Sequence, residues 1–499
     1  MFEQSPFFIW IKTMISRRDT LKISLALSAM GLSAAPAFAW RTGEPEEKIS
    51  CDILVIGSGI AGTVAALQAV EDGANVLMID KASENQRGGN SRVCLGSFLM
   101  PENNSPEAKE AFIEDVKKKS LGGGRTDLYE VLADNILDSV KWAESNGAAF
   151  EPWLQQAPWN VGVRIASPGQ YRGMPKLLKT LFDKYIEKGG KVLFKTKAKQ
   201  LLVNKKGAVD GAICQTDKGL LQINAKAVIL GTGGYSANRE MLEAAHPGGA
   251  NILIRGNKFI TGDGIRLAQE VGAGTMGMAG VESLHLPVVF NGPQGRGSPT
   301  RALPYCLGIN AEGKRFVDES LGYASFGKAT LQQTGQKVAL IFDEAMLQKE
   351  KRIGMSVELF KRAKGGLIEA NGYEQLAKEI GVQPSILKET LEKFNASVKD
   401  GKALTAEPPK SNLAEKINLN GKLFAFYPLT PSITMVYGGL MINKDAQVTE
   451  ADGTPIKGLY AAGETVNLYY HDYHGGGILS QSLVFGRIAA NQAAKYIKQ

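Results

Sequence analysis

Apolar residues fall into two spacings along the chain. Unbroken runs at 53–56 and within 75–81 read as strands buried on both faces, and three-and-four spacing over 60–70, 106–120 and 127–146 reads as helix. Short runs at 191–196, 208–215 and 220–224 have the punctuation of a β-meander, and a further strand leaves through glycines at 227–240. After TGDGI at 261–265 and a short helix, the texture changes. Residues 283–432 are loop-rich, then helical over 356–364, 372–379 and 385–400, and close on the proline-punctuated YPLTPSI. The earlier pattern resumes at Tyr437 and ends in a helix over 482–498.

Glycines set between the first strand and first helix change what this pattern means. In DILVIGSGIAG, Gly57, Gly59 and Gly62 stand at the G-x-G-x-x-G positions: one for the tight turn, one for backbone approach to a pyrophosphate, one for helix–strand contact. The helix start offers free N–H groups and partial positive charge, and Asp80, closing the second strand, is placed for ribose hydroxyls. A lone fingerprint says little, but strand, helix, second strand and acid at these spacings say nucleotide. Three more glycine-punctuated elements follow: RGGNS at 87–91, the exit at 227–240 and GLYAAGE at 458–464. Sites spread over the whole chain suit a long, extended ligand such as FAD.

Taken together, these segments resemble the FAD-binding flavoprotein family of fumarate reductase and succinate dehydrogenase across nearly the whole mature chain. The resemblance implies an α/β fold, a Rossmann-like FAD-binding domain at 48–282 and 433–499 with an inserted α+β cap domain at 283–432. It implies FAD along Gly57, Gly59, Ala61 and Gly62, on Asp80 and Lys81, and on Gly88, Gly89, Asn90, Ser91 and Gly96. Farther on it implies Ala198, Thr232, Gly233 and Asp263, then Glu464, then Ile478, Leu479 and Ser482 at the last helix. No histidine matches a covalent flavin linkage, so the cofactor is expected to be noncovalent.

The first residues are set apart from the fold. SRRDTLK at 16–22, the apolar stretch 23–32 and Ala37-Phe38-Ala39 have the layout of a twin-arginine export signal over 1–39, with Thr20 where an aromatic is usual. Residues before Met14 look unlike a signal, which leaves Met1 and Met14 both open as the start. About ten apolar residues are too few for a membrane anchor, which needs ~20. Cleavage before Trp40 would deliver a folded, cofactor-loaded protein to the periplasm, with no stable membrane anchor. The formal charge of +8 includes +2 from this leader, leaving +6; with no long Lys/Arg run, there is no nucleic-acid signal. Modest basicity suits an acidic redox partner or anionic substrates. Cys51, Cys94, Cys214 and Cys306 are scattered without C-x-x-C or C-x-x-C-H, so neither haem nor an iron–sulfur cluster nor another metal site is expected, and free thiols are favoured over a disulfide.

Two segments carry the chemistry: GKRFVDESLGY at 313–323 and HDYHGGGILSQSLVFGRIAA at 471–490. Fumarate and urocanate reductases resemble the first, but their proton-donating arginine falls at Tyr323. Their carboxylate-clamping arginine falls at Tyr473, and a substrate-binding histidine at Met435. The tyrosines resemble instead the 3-ketosteroid dehydrogenase branch, in which the first moves the proton. The second, with the backbone N–H of the last glycine, holds the substrate carbonyl oxygen. Carried over, those roles fall on Tyr323, Tyr473 and Gly477. His474 stands where that branch has proline, and the C-terminal segment also resembles tricarballylate dehydrogenase.

Of four histidines, His285, His471 and His474 lie in these suspected pocket segments. His285 is a candidate substrate ligand, with a plain loop or core histidine as the alternative. Arg301, in SPTRALPY, is a candidate carboxylate clamp, with a structural arginine as the alternative.

Reducing a double bond beside a carbonyl needs a hydride at the β-carbon, donors where enolate charge gathers, and an acid on the opposite face. A phenol, ordinarily titrating near 10, is such an acid at neutral pH. The last helix, starting near Ser482, should aim its positive end at the flavin pyrimidine edge. The leading reading is a periplasmic reductase of an unsaturated small molecule, supplied with electrons by a separate c-type cytochrome or quinol-linked protein. The alternatives are a ketosteroid- or tricarballylate-type dehydrogenase running the other way, and a non-catalytic flavin-binding subunit.

Overall fold

The computed structural model describes residues 45–499 except 95, 153–162, 167, 169–172, 283–285, 291–294, 467 and 471–474. The leader therefore lies outside the described residues, as do Tyr473, His285, His471 and His474. Residues Glu47–Gln499 form one compact unit.

Its centre is a largely parallel sheet in the order Gln447–Thr449, Pro455–Ala461, Gly219–Leu230, Glu47–Ile56, Val76–Ile79 and Lys191–Leu193. Ile53 lies opposite both Val76 and Ala227, and Ile56 opposite both Ile79 and Leu230. Strands paired on both edges and covered on both faces need apolar residues at every position, and Ile53, Leu54 and Val55 are wholly buried. Helices Ile60–Glu71 and Gly477–Tyr496 pack on one another beside this sheet; a Cβ on Gly486 would stand 2.9 Å from the Ala61 carbonyl oxygen.

Several sequence expectations change here. The meander is built from Lys197–Val203, Val209–Thr216 and Gly219–Leu230, whereas Lys191–Leu193 joins the parallel edge instead. Lys197–Val203 escapes notice because its alternation is half charged and half apolar. The runs at 220–224 and 227–230 are one strand, pairing antiparallel on one edge and parallel with Glu47–Ile56 on the other. The last helix starts at Gly477 rather than Ser482, because Gly476, at φ +100, turns the chain directly into it.

Residues 286–429 form a second apolar cluster around a six-stranded sheet. Its strands Leu307–Ile309 and Val338–Asp343 sit in the stretch whose texture reads as loop, since strands this short leave little periodicity. Lys422–Leu429 pairs with Val338–Asp343 and Leu367–Asn371, and helices Lys351–Ala363, Tyr373–Ile380 and Pro384–Ser397 belong to the same layer system. Tyr323 packs against both apolar clusters, at their junction. Among the described residues no helix is long and apolar enough to cross a membrane.

Candidate active site

The fingerprint loop is shaped by contact. Gly57 has φ +105, and a Cβ there would stand 2.4 Å from the Gly231 carbonyl oxygen; on Gly62 it would stand 1.9 Å from that of Gly57. Gly62 thus presses helix to strand and stands back from the cleft wall, as does Gly88, whose N–H donates to Ser58 Oγ at 3.2 Å. Gly59 precedes a helix that has no side-chain cap and no acid in its first turn, so that end is left for an anion. Ser91 Oγ accepts from Ile60 N at 3.1 Å.

The cleft that opens here has an empty volume of about 1580 Å3, solvent at its mouth included. Gly57, Gly59, Ala61, Asp80 and Lys81 line one end. Gly89, Asn90, Ser91 and Gly96 line it next, with Ala198, Thr232, Gly233 and Asp263 across from the meander side. Glu464, Ile478, Leu479 and Ser482 complete the wall under the last helix.

Asp80 is more engaged than its sequence position suggests. Its Oδ2 accepts from Ser58 N at 3.0 Å and from the Ser58 hydroxyl, and its Oδ1 from Ala82 N at 2.8 Å. It therefore braces the fingerprint turn as well as facing the cleft. Asp263 gathers Lys81 at 2.8 Å, Lys197 at 3.2 Å and Arg266 at 3.1 Å. Burial opposes its charge, yet the hydrogen bond from Lys81 and the two lysine charges outweigh it and bring its pKa down to about 2. Burial in turn draws the Lys81 ammonium below its ordinary range.

Glu464 is the buried carboxyl of the middle wall. Val436 N donates to its Oε1 at 3.1 Å and Asn90 Nδ2 to its Oε2 at 3.2 Å, but burial dominates and lifts its pKa to about 7. Beside it, the buried Oγ1 of Thr434 has no hydrogen-bond partner among the described residues, although Thr434 lines the cleft. An open helix end, a glycine-walled groove and an orphaned buried hydroxyl are what a dinucleotide with a polar ring system would satisfy, and the residues fit FAD on these grounds.

Tyr323 lines the same cleft, as do Arg255, Met435, Gly475 and Gly476. Tyr323 opens the helix Tyr323–Leu331 just after Gly322, and four residues earlier Glu319 is locked to Arg315 at 2.7 Å in the cap interior. Gly477 is the first residue of the last helix and is not among the residues lining the cleft. Arg301 is not among the residues lining the cleft, and its guanidinium reaches Met355 Sδ at 4.0 Å on the helix Lys351–Ala363. Ser58, Thr434 and Arg255 belong to the site without having been singled out in sequence. For Arg255 the available signal was one lone cation after the apolar run 252–254.

A protein-family model described as an FAD binding domain matches residues 52–479. The fumarate reductase (cytochrome) of Shewanella frigidimarina is 30% identical over 456 residues, covering 90% of this chain and 78% of that protein. The urocanate reductase of Eggerthella lenta is 30% identical over 461 residues, covering 89% of this chain and 74% of that protein. Among solved structures, the open conformation of a flavocytochrome c3 fumarate reductase superposes with a TM-score of 0.73 at 30% identity, over 96% of this chain and 82% of that one.

Proposed function

Because the chain belongs to the FAD-binding-domain family and is an FAD-dependent oxidoreductase of carbon–carbon double bonds, we propose a periplasmic reductase with Tyr323 as its proton donor. Its substrate would be an alkene conjugated to a carbonyl or carboxylate, and its electrons would come from a separate c-type cytochrome or quinol-linked protein. The observation that carries this reading is the position of Tyr323: it lines the FAD cleft and packs against both apolar clusters.

FAD, bound and reduced, supplies the hydride. The chain supplies the rest. Tyr323 would give its phenolic proton to the α-carbon as the hydride reaches the β-carbon. Tyr473 and the Gly477 N–H hold the carbonyl oxygen where enolate charge gathers. The Gly477 N–H is suited to this because the first N–H groups of a helix have no partner within it. His285 would serve as a substrate ligand, and residues 283–432 would act as a cap that keeps water out. The segment 1–39 directs export of the folded, FAD-loaded protein.

The test is a stopped-flow screen of unsaturated acids and ketones against the viologen-reduced holoenzyme, with Tyr323→Phe as the comparison. The variant should keep its yellow colour and lose turnover by roughly 10²–10⁴-fold, the usual contribution of a positioned acid. Undiminished turnover removes Tyr323 from its role. Bleaching of the oxidised enzyme by the saturated compound, without the reverse reaction, reverses the direction.

A further inference from the structure

The cleft contains a cation that neither the nucleotide fingerprint nor the two tyrosines explain. Arg255 follows the short strand Leu253–Ile254, which pairs in parallel with Ser432–Ile433. Its own N–H donates to the Ile433 carbonyl at 2.9 Å. Next to it, a Cβ on Gly256 would lie 2.7 Å from Asn90 Oδ1 and 2.9 Å from the Thr434 carbonyl oxygen, so the backbone here is pressed onto the cofactor wall and has no room to drift.

The side chain presents a different picture. Arg255 is exposed as a residue, yet the protein packed around its guanidinium works against the charge, and the one titratable group acting in its favour is Tyr323. Among the described residues no carboxylate lies within 4.0 Å of it and no side-chain hydrogen bond engages it, whereas Arg315 in the cap and Lys81 beside the fingerprint each have a carboxylate partner. A guanidinium that lines the cleft from a pinned backbone, partly desolvated and without an anion among the described residues, is a site for one. Met435, two residues beyond the strand that Arg255 pairs with, is neutral and cannot supply that charge.

We infer that Arg255 is the anion-recognition residue of the substrate pocket: it binds a carboxylate of the alkene next to Tyr323 and makes the enzyme select unsaturated acids over neutral enones and esters. This rests on the reductase reading and narrows it to enoates.

Titration of the oxidised holoenzyme with fumarate, urocanate, crotonate and cinnamate, each against its methyl ester, reads binding through the flavin absorption band. Wild type should bind at least one acid more tightly than its ester. Arg255→Gln should weaken that acid by roughly ten- to hundred-fold, the worth of a charged hydrogen bond, and leave the ester within about two-fold. Arg255→Lys, which keeps the charge but not the fork, should recover part of the loss. It also decides the matter if Arg255→Gln fails to hold FAD: acid binding weakened with ester binding retained supports the assignment.

No acid preference in wild type overturns the inference, as does a preference that survives in Arg255→Gln or is untouched in Arg255→Lys. Turnover of the same panel with reduced viologen is read separately. Acids bound through Arg255 but never reduced would remove the reductase reading alone. Esters reduced as readily as acids would remove the Arg255 assignment alone.

Discussion

Asn90 and Glu464, 374 positions apart in the chain, meet through a 3.2 Å hydrogen bond from Nδ2 to Oε2. The same amide donates to the Thr434 carbonyl at 2.5 Å and accepts from Asn257 N at 2.8 Å. One short side chain therefore ties together the RGGNS loop, the strand returning from the cap and the GLYAAGE turn, and so closes the cleft around its cofactor.

Glu464 makes that closure sensitive to pH. Its pKa is raised from the ordinary 4.5 to about 7, so between those values the folded protein holds a proton that the unfolded chain releases. The stabilisation is then fully present below about 4.5 and lost as pH rises through about 7, amounting to about 3 kcal/mol. Flavin-free protein should unfold at lower urea near pH 8 than near pH 5. Glu464→Gln, which cannot ionise, should lose that part of the dependence. Parallel pH profiles for the two proteins would count against the buried, protonated carboxyl.

Two glycines separate the needs of the cofactor from those of the backbone. Gly62→Ala would force a methyl group to within 1.9 Å of the Gly57 carbonyl oxygen, so it should cost about 3 kcal/mol or more and release FAD on gel filtration. Gly354 lies inside the helix Lys351–Ala363 with nothing within 4 Å of a Cβ. Gly354→Ala should raise stability by about 0.5–1 kcal/mol and leave FAD content unchanged, because alanine orders the helix at lower entropic cost.

Inside the cap, Glu319 balances two cations. Arg315 reaches it at 2.7 Å and Lys410 at 3.8 Å, with side-chain exposures of 0% for Glu319 and 1% for each partner. Burial pulls the Lys410 ammonium down, with Glu319 the chief group holding it up. Glu319→Gln should destabilise by about 3–5 kcal/mol, the cost of leaving buried charge uncompensated. Since Tyr323 opens the next helix four residues on, turnover should fall even at temperatures where the variant remains folded. A melting temperature unchanged from wild type would exclude this role for the network.

Local chemistry was legible in the chain before any folding. The strand–glycine–helix unit at 53–70, the helix at 106–119 and the glycine-rich elements around the cleft depend on spacings within a few residues, and each was read near its place. Lys197–Val203 and the short cap strands were not, because a strand of three to seven residues acquires its identity from the partner it pairs with.

The sequence by itself determined that an extended nucleotide cofactor is held by glycine-lined strand exits. Tertiary structure alone decided which groups share one cavity: Arg255 beside Tyr323, Thr434 with its unmatched hydroxyl, Glu464 buried far enough to keep its proton. The physical reason is that conformation is governed by neighbours in the chain, whereas burial and charge pairing depend on neighbours in space. Those neighbours were brought together here from segments hundreds of residues apart.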